Sequence, residues 1–326
     1  MLKNIIIYHK ISDEKESICD YKNIAGFSIN IDFFVEIIQI LWYNNSIIVY
    51  GVDMSAGVNM KELTLQEQKE IALKVLCQID EICKTNDIRY SLAYGTLLGA
   101  VRHKDFIPWD DDVDIMMPRA DYLKFVDYCK NNSTDFELAC GATDPEYGYV
   151  FAKACDKGTT VVPGNMKWQK NGIQVDIFPV ENLGADAEQA GKHFSARRLQ
   201  RELLVAWNWS RYEKNPNRSL PFNAVRLAFF LLSRFVSNKK LIASVNKYYE
   251  AIEENEYMGI VCGAYRSREI MPASIYKEYT DILFEGKTFK AISKYDEYLK
   301  TVYGDYMKLP PEEKRVTHHN FKAYWN

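Results

Sequence analysis

Two carboxylates two residues apart, Asp112 and Asp114, sit in the stretch WDDDVDIMM at 109–117. Successive side chains of a strand alternate between its faces, so a strand over 112–117 turns both carboxylates to one side and Val113 to the other. Asp111 is then expected on the opposite side. The flanks, an indole at Trp109 and the apolar run Ile115 to Met117, are not those of a solvated acidic turn. Carboxylate oxygens sharing a face are hard ligands for Mg²⁺ or Mn²⁺, and the spacing lacks the central Gly and late Glu of an EF-hand calcium loop. Asp110 either orients a ligand or reaches a second ion, or else caps the loop.

A third acid lies in GIQVDIFPV at 172–180, where Asp176 stands between Val175 and Ile177. A lone carboxylate in an apolar strand requires a charge partner or a metal. Gly95 and Thr96 separate an expected short strand, 89–93, from a helical turn over 97–103. Strand, Gly-hydroxyl turn and helix in that order form an anion site, because the first turn of a helix offers unpaired N–H groups and a positive dipole end. Arg102 either clamps a diphosphate bidentately or pairs with Asp110 or Asp111. Lys153 either adds positive charge from a neighbouring strand or is a surface cation. Together these residues read as a site for a divalent metal and a phosphate.

The elements that must hold them follow from hydrophobic periodicity. Thr64 and Glu67, in capping-box spacing, open a helix with Ile71, Val75, Ile79 and Ile82 on one face and an end near Asn86. After the strand 112–117, Pro118 stops the run and a helix occupies 119–130. Further strands are expected at 136–140, 149–155, 159–162 and 172–178. The pattern is helical from Asp186 to about 257 with a break at 215–221. ILFEGKTF at 282–289 reads as a hairpin, and a helix over 293–302 is closed by Gly304. Residues 1–60 read as a small β-rich accessory region, with strands at 4–8 and 46–52 and an ambiguous apolar stretch at 33–42. The remainder, 61–326, reads as one continuous catalytic domain.

The 326 residues are 47% hydrophobic and 26% charged, the composition of a globular protein with a full core. With 41 basic and 44 acidic residues the net charge is −3, which argues against a nucleic-acid scaffold, so any anionic ligand must be met by a local cluster. The seven cysteines form no CxxC pair, and no signal peptide is evident, so a reducing cytoplasmic location is expected. The segment 225–236, VRLAFFLLSRFV, flanked by Arg226, Arg234, Lys239 and Lys240, is either a core helix or one lying against a bilayer surface at the inner face.

The stretch YGTLLGAVRHKDFIPWDDDVDIMMPRADYLKF resembles the signature of the LicD family, part of the nucleotidyltransferase superfamily that includes phosphocholine transferases. Fukutin and fukutin-related protein carry a similar GxLLGxxR and WDxDxD arrangement. The resemblance extends to VDIFPV, FEGKTF, YGDYMKLPPEEKR and the closing His318-His319, and so runs from about Leu73 to the C-terminus.

The resemblance implies an α/β (α+β) fold with a nucleotidyltransferase-type mixed sheet, flanking helices and a helical C-terminal half. It implies transfer of a phosphoalcohol group, typically phosphocholine, from CDP-choline or another CDP-alcohol. The acceptor would be a hydroxyl of a glycan or lipid-linked glycan, such as a teichoic-acid or lipopolysaccharide precursor, and CMP would leave. In this reading Asp112 and Asp114 match the metal-binding pair, Asp176 the third acid, and Gly95 and Thr96 the phosphate turn. Asp176 accepts the acceptor proton or completes the coordination shell. Arg315, His318 and His319 match a C-terminal motif, and a structural role for the His pair stands beside a direct one. Two other readings keep the same residues: adduct formation from a nucleoside triphosphate with release of pyrophosphate, and a catalytically silent nucleotide-binding subunit.

Overall fold

The structure, a computed structural model, describes residues 61–144, 146–167, 172–317 and 321–326. The β-rich region expected over 1–60 lies outside the described residues. Two compact units divide those described: one holds the segment 211–232, the other the remainder.

Helix α1, Leu65–Thr85, begins with the expected capping box, in which the Thr64 hydroxyl accepts the Glu67 N–H and the Glu67 carboxylate accepts the Thr64 N–H at 2.8 Å. Its buried face carries Ile71, Val75, Leu76 and Ile79, the helical spacing that the sequence shows. The short strand β1, Ser91–Leu92, leads into helix α2, Tyr94–Arg102. Strand β2, Val113–Pro118, is buried along its whole length, and Pro118 then caps helix α3, Arg119–Asn131.

Strands β3, Phe136–Ala139, β4, Ala152–Asp156, β5, Thr159–Pro163, and β6, Gln174–Gly184, follow. The main sheet has the order β1-β2-β6-β4-β3. β2 and β6 are parallel, while β1, β4 and β3 join antiparallel, so the sheet is mixed as expected. β6 runs past the expected end at 178 to Gly184, where φ is +118°. Its far half pairs with β7, Tyr257–Gly259, which in turn pairs with β8, Met271–Pro272. That outer pairing could not be read from β6 alone, because a strand buried on both faces lacks the alternation that marks an end.

The helical stretch contains α4, Ala187–Ala196, α5, Arg198–Asn208, α6, Leu220–Ser233, and α7, Asn238–Glu250. Asp186 caps α4 by accepting the Gln189 N–H at 2.8 Å. In the separate segment 211–232, buried Asn223 organises the turn before α6: its Nδ2 donates to the carbonyls of Asn215, Arg218 and Ser219, and its Oδ1 accepts the Asn215 N–H. Among the described residues no single helix is long and apolar enough to cross a membrane.

The hairpin expected at 282–289 is β9, Tyr279–Phe284, with β10, Lys287–Ile292. Its two turn residues, Glu285 and Gly286, have φ of +50° and +68°, the left-handed pair of a type I′ turn. Helix α8, Tyr295–Tyr303, ends at Gly304 with φ +75°, as its position suggested. The closing strand β11, Phe321–Trp325, pairs with β5. Local pattern does not mark this strand, because its partners, β5 and the segment at 61–63, lie about 160 and 260 residues earlier in the chain.

Candidate active site

The register of the central strands sets the site. Asp114 on β2 is the direct partner of Asp176 on β6, and Asp176 is the direct partner of Lys153 on β4. Aligned residues of adjacent strands share a face, so two carboxylates and an ammonium form one row across three strands. Lys153 Nζ lies 2.8 Å from Asp176 Oδ1 and 3.0 Å from Oδ2. It also stands 5.0 Å from the Tyr149 ring and 5.3 Å from that of Phe151. Lys153 is therefore no surface cation; it is buried, and burial alone would lower its pKa, but Asp176 and next Tyr149 hold it above the usual lysine value.

Asp112 precedes β2 rather than belonging to it, so strand alternation does not govern the residues before Val113. The consequence is a correction for Asp111: its carboxylate lies with those of Asp110 and Asp112, all within 4.8 Å of one another, instead of on the opposite side. Asp114 is fully buried beside this group. Burial, and next Asp112, Asp176 and Asp110, push its carboxyl well above the usual range, with Lys153 a partial offset.

Gly95 and Thr96 belong to the first turn of α2, not to a loop ahead of it. A β-carbon on Gly95 would lie 2.4 Å from Asp110 Oδ2, so the glycine is what lets Asp110 rest on the helix N-terminus. The negative carboxylate is favourably placed at the positive end of the dipole. Buried Thr96 accepts the Asp114 N–H at 2.8 Å through Oγ1, so this hydroxyl ties α2 to β2. Arg102 ends the same helix, about 10 Å further along at 1.5 Å per residue. Its Nη1 donates to the Tyr306 carbonyl at 2.7 Å, and among the described residues no ion pair joins it to Asp110 or Asp111.

The acidic loop is held from outside. Lys69 on α1 donates to the carbonyls of Ile107 and Pro108, both at 3.2 Å, and the Glu285 carboxylate of the hairpin turn accepts the Phe106 N–H at 3.0 Å. Arg315 donates to the Pro310 carbonyl at 2.8 Å and sits 5.8 Å over the Trp109 ring, one residue from Asp110. His318 and His319 lie outside the described residues.

Sequence reasoning missed the support behind α2. Tyr94, its first residue, has φ +42°, a left-handed conformation that a tyrosine adopts only under restraint. The Tyr94 hydroxyl donates to Glu269 Oε1 at 3.0 Å, and the Tyr265 N–H donates to the same oxygen at 3.2 Å. Phe178 packs edge-on against the Tyr94 ring with centroids 5.4 Å apart. Glu269 is 0% exposed, and burial pushes its carboxyl up to about 7, against the lowering pull of the Tyr94 and Tyr265 hydrogen bonds. No motif marked Glu269, because it lies 175 residues from Tyr94, at the end of a single 3-10 turn, Arg266–Glu269.

Comparison with known proteins places this geometry. Residues 87–229 match the family model described as LicD/FKTN/FKRP, nucleotidyltransferase domain. The lipopolysaccharide cholinephosphotransferase LicD of Haemophilus influenzae is 33% identical over 279 residues, 81% of this chain and 99% of that protein. The ribitol 5-phosphate transferase FKRP of Homo sapiens is 36% identical over 92 residues, 28% of this chain and 17% of that protein. The chain belongs to the LicD family of phosphotransferases.

Proposed function

From that membership we propose that the protein transfers a phosphoalcohol group, phosphocholine in the first instance, from a CDP-activated donor to a hydroxyl of a cell-surface glycan precursor, releasing CMP. The observation that carries the reading is the row Asp114–Asp176–Lys153 beside the clustered Asp110, Asp111 and Asp112 carboxylates. What supports the choice of group is the kind of relative, a cholinephosphotransferase and a ribitol 5-phosphate transferase.

The donor set fits a hard divalent cation. It offers carboxylate oxygens only; burial raises the Asp114 carboxyl most, and the repulsion from Asp112, Asp176 and Asp110 that adds to it is what a cation would relieve. Asp112 and Asp114 would hold Mg²⁺ or Mn²⁺, with Asp110 and Asp111 close to Asp112; Asp176 would join the ligands only if a second ion were bound. When bound, the ion would neutralise charge on the phosphoryl oxygens.

In the transfer, the acceptor oxygen forms a bond to the phosphorus that carries the alcohol. The bond from that phosphorus to the bridging oxygen of CMP breaks, and CMP departs with its electron pair. Asp176 lies at the centre of the row and receives the hydroxyl proton; Lys153, which grips both its oxygens, must release one of them as it does so. Thr96 keeps Asp114 in register, and Gly95 keeps Asp110 on the helix end.

Incubation with CDP-choline, Mg²⁺ and a glycan acceptor, followed by assay for CMP, tests the reading. Pyrophosphate release from CTP and a phosphoalcohol, with no CMP from CDP-choline, would replace it with adduct formation. The same proposal puts the enzyme in the cytoplasm, against the inner membrane face where lipid-linked acceptors are found. Over 225–236 the apolar surface for such contact is narrow: Phe230 is buried, whereas Val225 and Phe235 are exposed. Flotation with anionic liposomes measures it.

A further inference from the structure

A cavity of about 380 Å³ opens beside the acid row. Its lining includes Tyr149 and Phe151, the two rings that face the Lys153 ammonium, so the cavity wall is one side chain removed from the Lys153–Asp176 pair. Phe194 adds a third ring. The charged lining is three guanidinium groups, Arg198, Arg201 and Arg266, against the single carboxylate of Glu202. In a chain of net charge −3 this is a local positive cluster directly next to a negative one.

The three arginines differ in freedom. Arg201 is tied down, donating to the Tyr249 hydroxyl at 3.1 Å and the Phe194 carbonyl at 2.8 Å. Among the described residues Arg198 has only a loose 3.7 Å ion pair with Glu202. Arg266 is exposed, adopts φ +56° and has no hydrogen-bond or ion-pair partner among the described residues. Two guanidinium groups that face a cavity with little to neutralise them are suited to a planar or tetrahedral anion. Flat aromatic walls suit the apolar face of a sugar ring.

The cavity also has a side. The sheet runs β2, β6, β4; α2 and Gly95 lie at the Asp112 and Asp114 end of the row, and the cavity adjoins Lys153 at the other end. Phosphoryl transfer brings its entering and leaving oxygens in from opposite sides. We propose that this cavity is the acceptor compartment and that it takes a saccharide bearing an anionic substituent, a phosphate or a carboxylate, which Arg198 and Arg266 recognise. This deepens the transfer reading and rests on it.

The test reads acceptor binding without donor. Ligand-observed NMR on the full chain, with galactose 6-phosphate, glucuronate and the neutral parents galactose and glucose as probes, should show the charged sugars binding about tenfold more tightly, the worth of a charge-assisted hydrogen bond. The Arg198→Gln, Arg266→Gln double variant should lose that difference while its melting temperature and its binding of Mg²⁺ with CMP stay unchanged. Equal binding of charged and neutral sugars, a difference that survives the double substitution, or displacement of the charged sugar by CMP would each overturn the assignment. A preference of phosphate over carboxylate, or the reverse, names the substituent. Failure of the transfer reading is visible separately, as absence of CMP release from wild-type enzyme.

Discussion

Replacing Glu269 with glutamine should abolish a pH dependence of stability that the wild-type protein carries. The Glu269 carboxyl is raised from 4.5 to about 7, by burial before anything else. Below pH 4.5 both folded and unfolded chains hold the proton. Between 4.5 and 7 the unfolded chain releases it and the folded chain keeps it, so the folded state binds more protons and stability falls as pH rises. Above 7 both are ionised and the loss is complete. At 1.36 kcal/mol for each pH unit of difference, the loss is about 3 kcal/mol, which in a chain of 326 residues corresponds to a melting shift of about 5 °C.

Glutamine cannot titrate, and its carbonyl can still accept from Tyr94 and Tyr265. Its amide nitrogen replaces Oε2, a buried atom without a partner among the described residues, and leaving that N–H unsatisfied costs about 2 kcal/mol at every pH. Glu269→Gln should therefore be less stable than wild type at pH 5 and equal or more stable at pH 8. Thermal melts of both proteins from pH 5 to 8, compared as a difference, cancel every other titrating group. A difference that does not change with pH would refute the assignment of the raised carboxyl to Glu269.

Asp114→Asn should lower CMP release about a thousandfold, yet melt no lower than wild type without added metal, since burial, and next Asp112, Asp176 and Asp110, already disfavour the ionised carboxyl that the amide replaces. Added Mg²⁺ should raise the wild-type melting temperature and leave that of Asp112→Asn nearly unchanged; equal shifts in both would remove Asp112 from the cation site. Gly95→Ala puts a methyl group 2.4 Å from Asp110 Oδ2 and must displace that carboxylate; Mg²⁺ affinity, read by titration calorimetry, should fall about tenfold. Lys153→Met strands Asp176 beside Asp114 and should cost about 3 kcal/mol in denaturant unfolding, most of it recovered in the double variant Lys153→Met, Asp176→Asn.

Much of the architecture was legible locally. The capping box at Thr64, the apolar stripe of α1, the FEGK turn and the helix-ending Gly304 each depend on residues within one or two turns of one another. The elements that were missed or cut short, β11 and the far half of β6, owe their existence to partners far along the chain. Within the site, the identities of Asp112, Asp114 and Asp176 stood out because carboxylates in apolar runs are costly without a purpose. Lys153 was readable only as a cation of uncertain place, and the contact of Arg102 with the Tyr306 carbonyl, 204 residues on, left no trace in the local pattern.

The sequence by itself determined the candidate residues: Asp112, Asp114 and Asp176 among apolar neighbours, and a Gly-hydroxyl pair at the start of a helix, all marked by the contrast between polar side chain and apolar surroundings. Only the tertiary structure decided how they meet. The register of β2, β6 and β4 sets Asp114, Asp176 and Lys153 in one row, the end of strand alternation before Val113 brings Asp111 to the site, and Glu269 reaches across 175 residues to restrain Tyr94. Strand register and long loop closures depend on packing between distant segments, and a residue pattern within one segment carries no record of them.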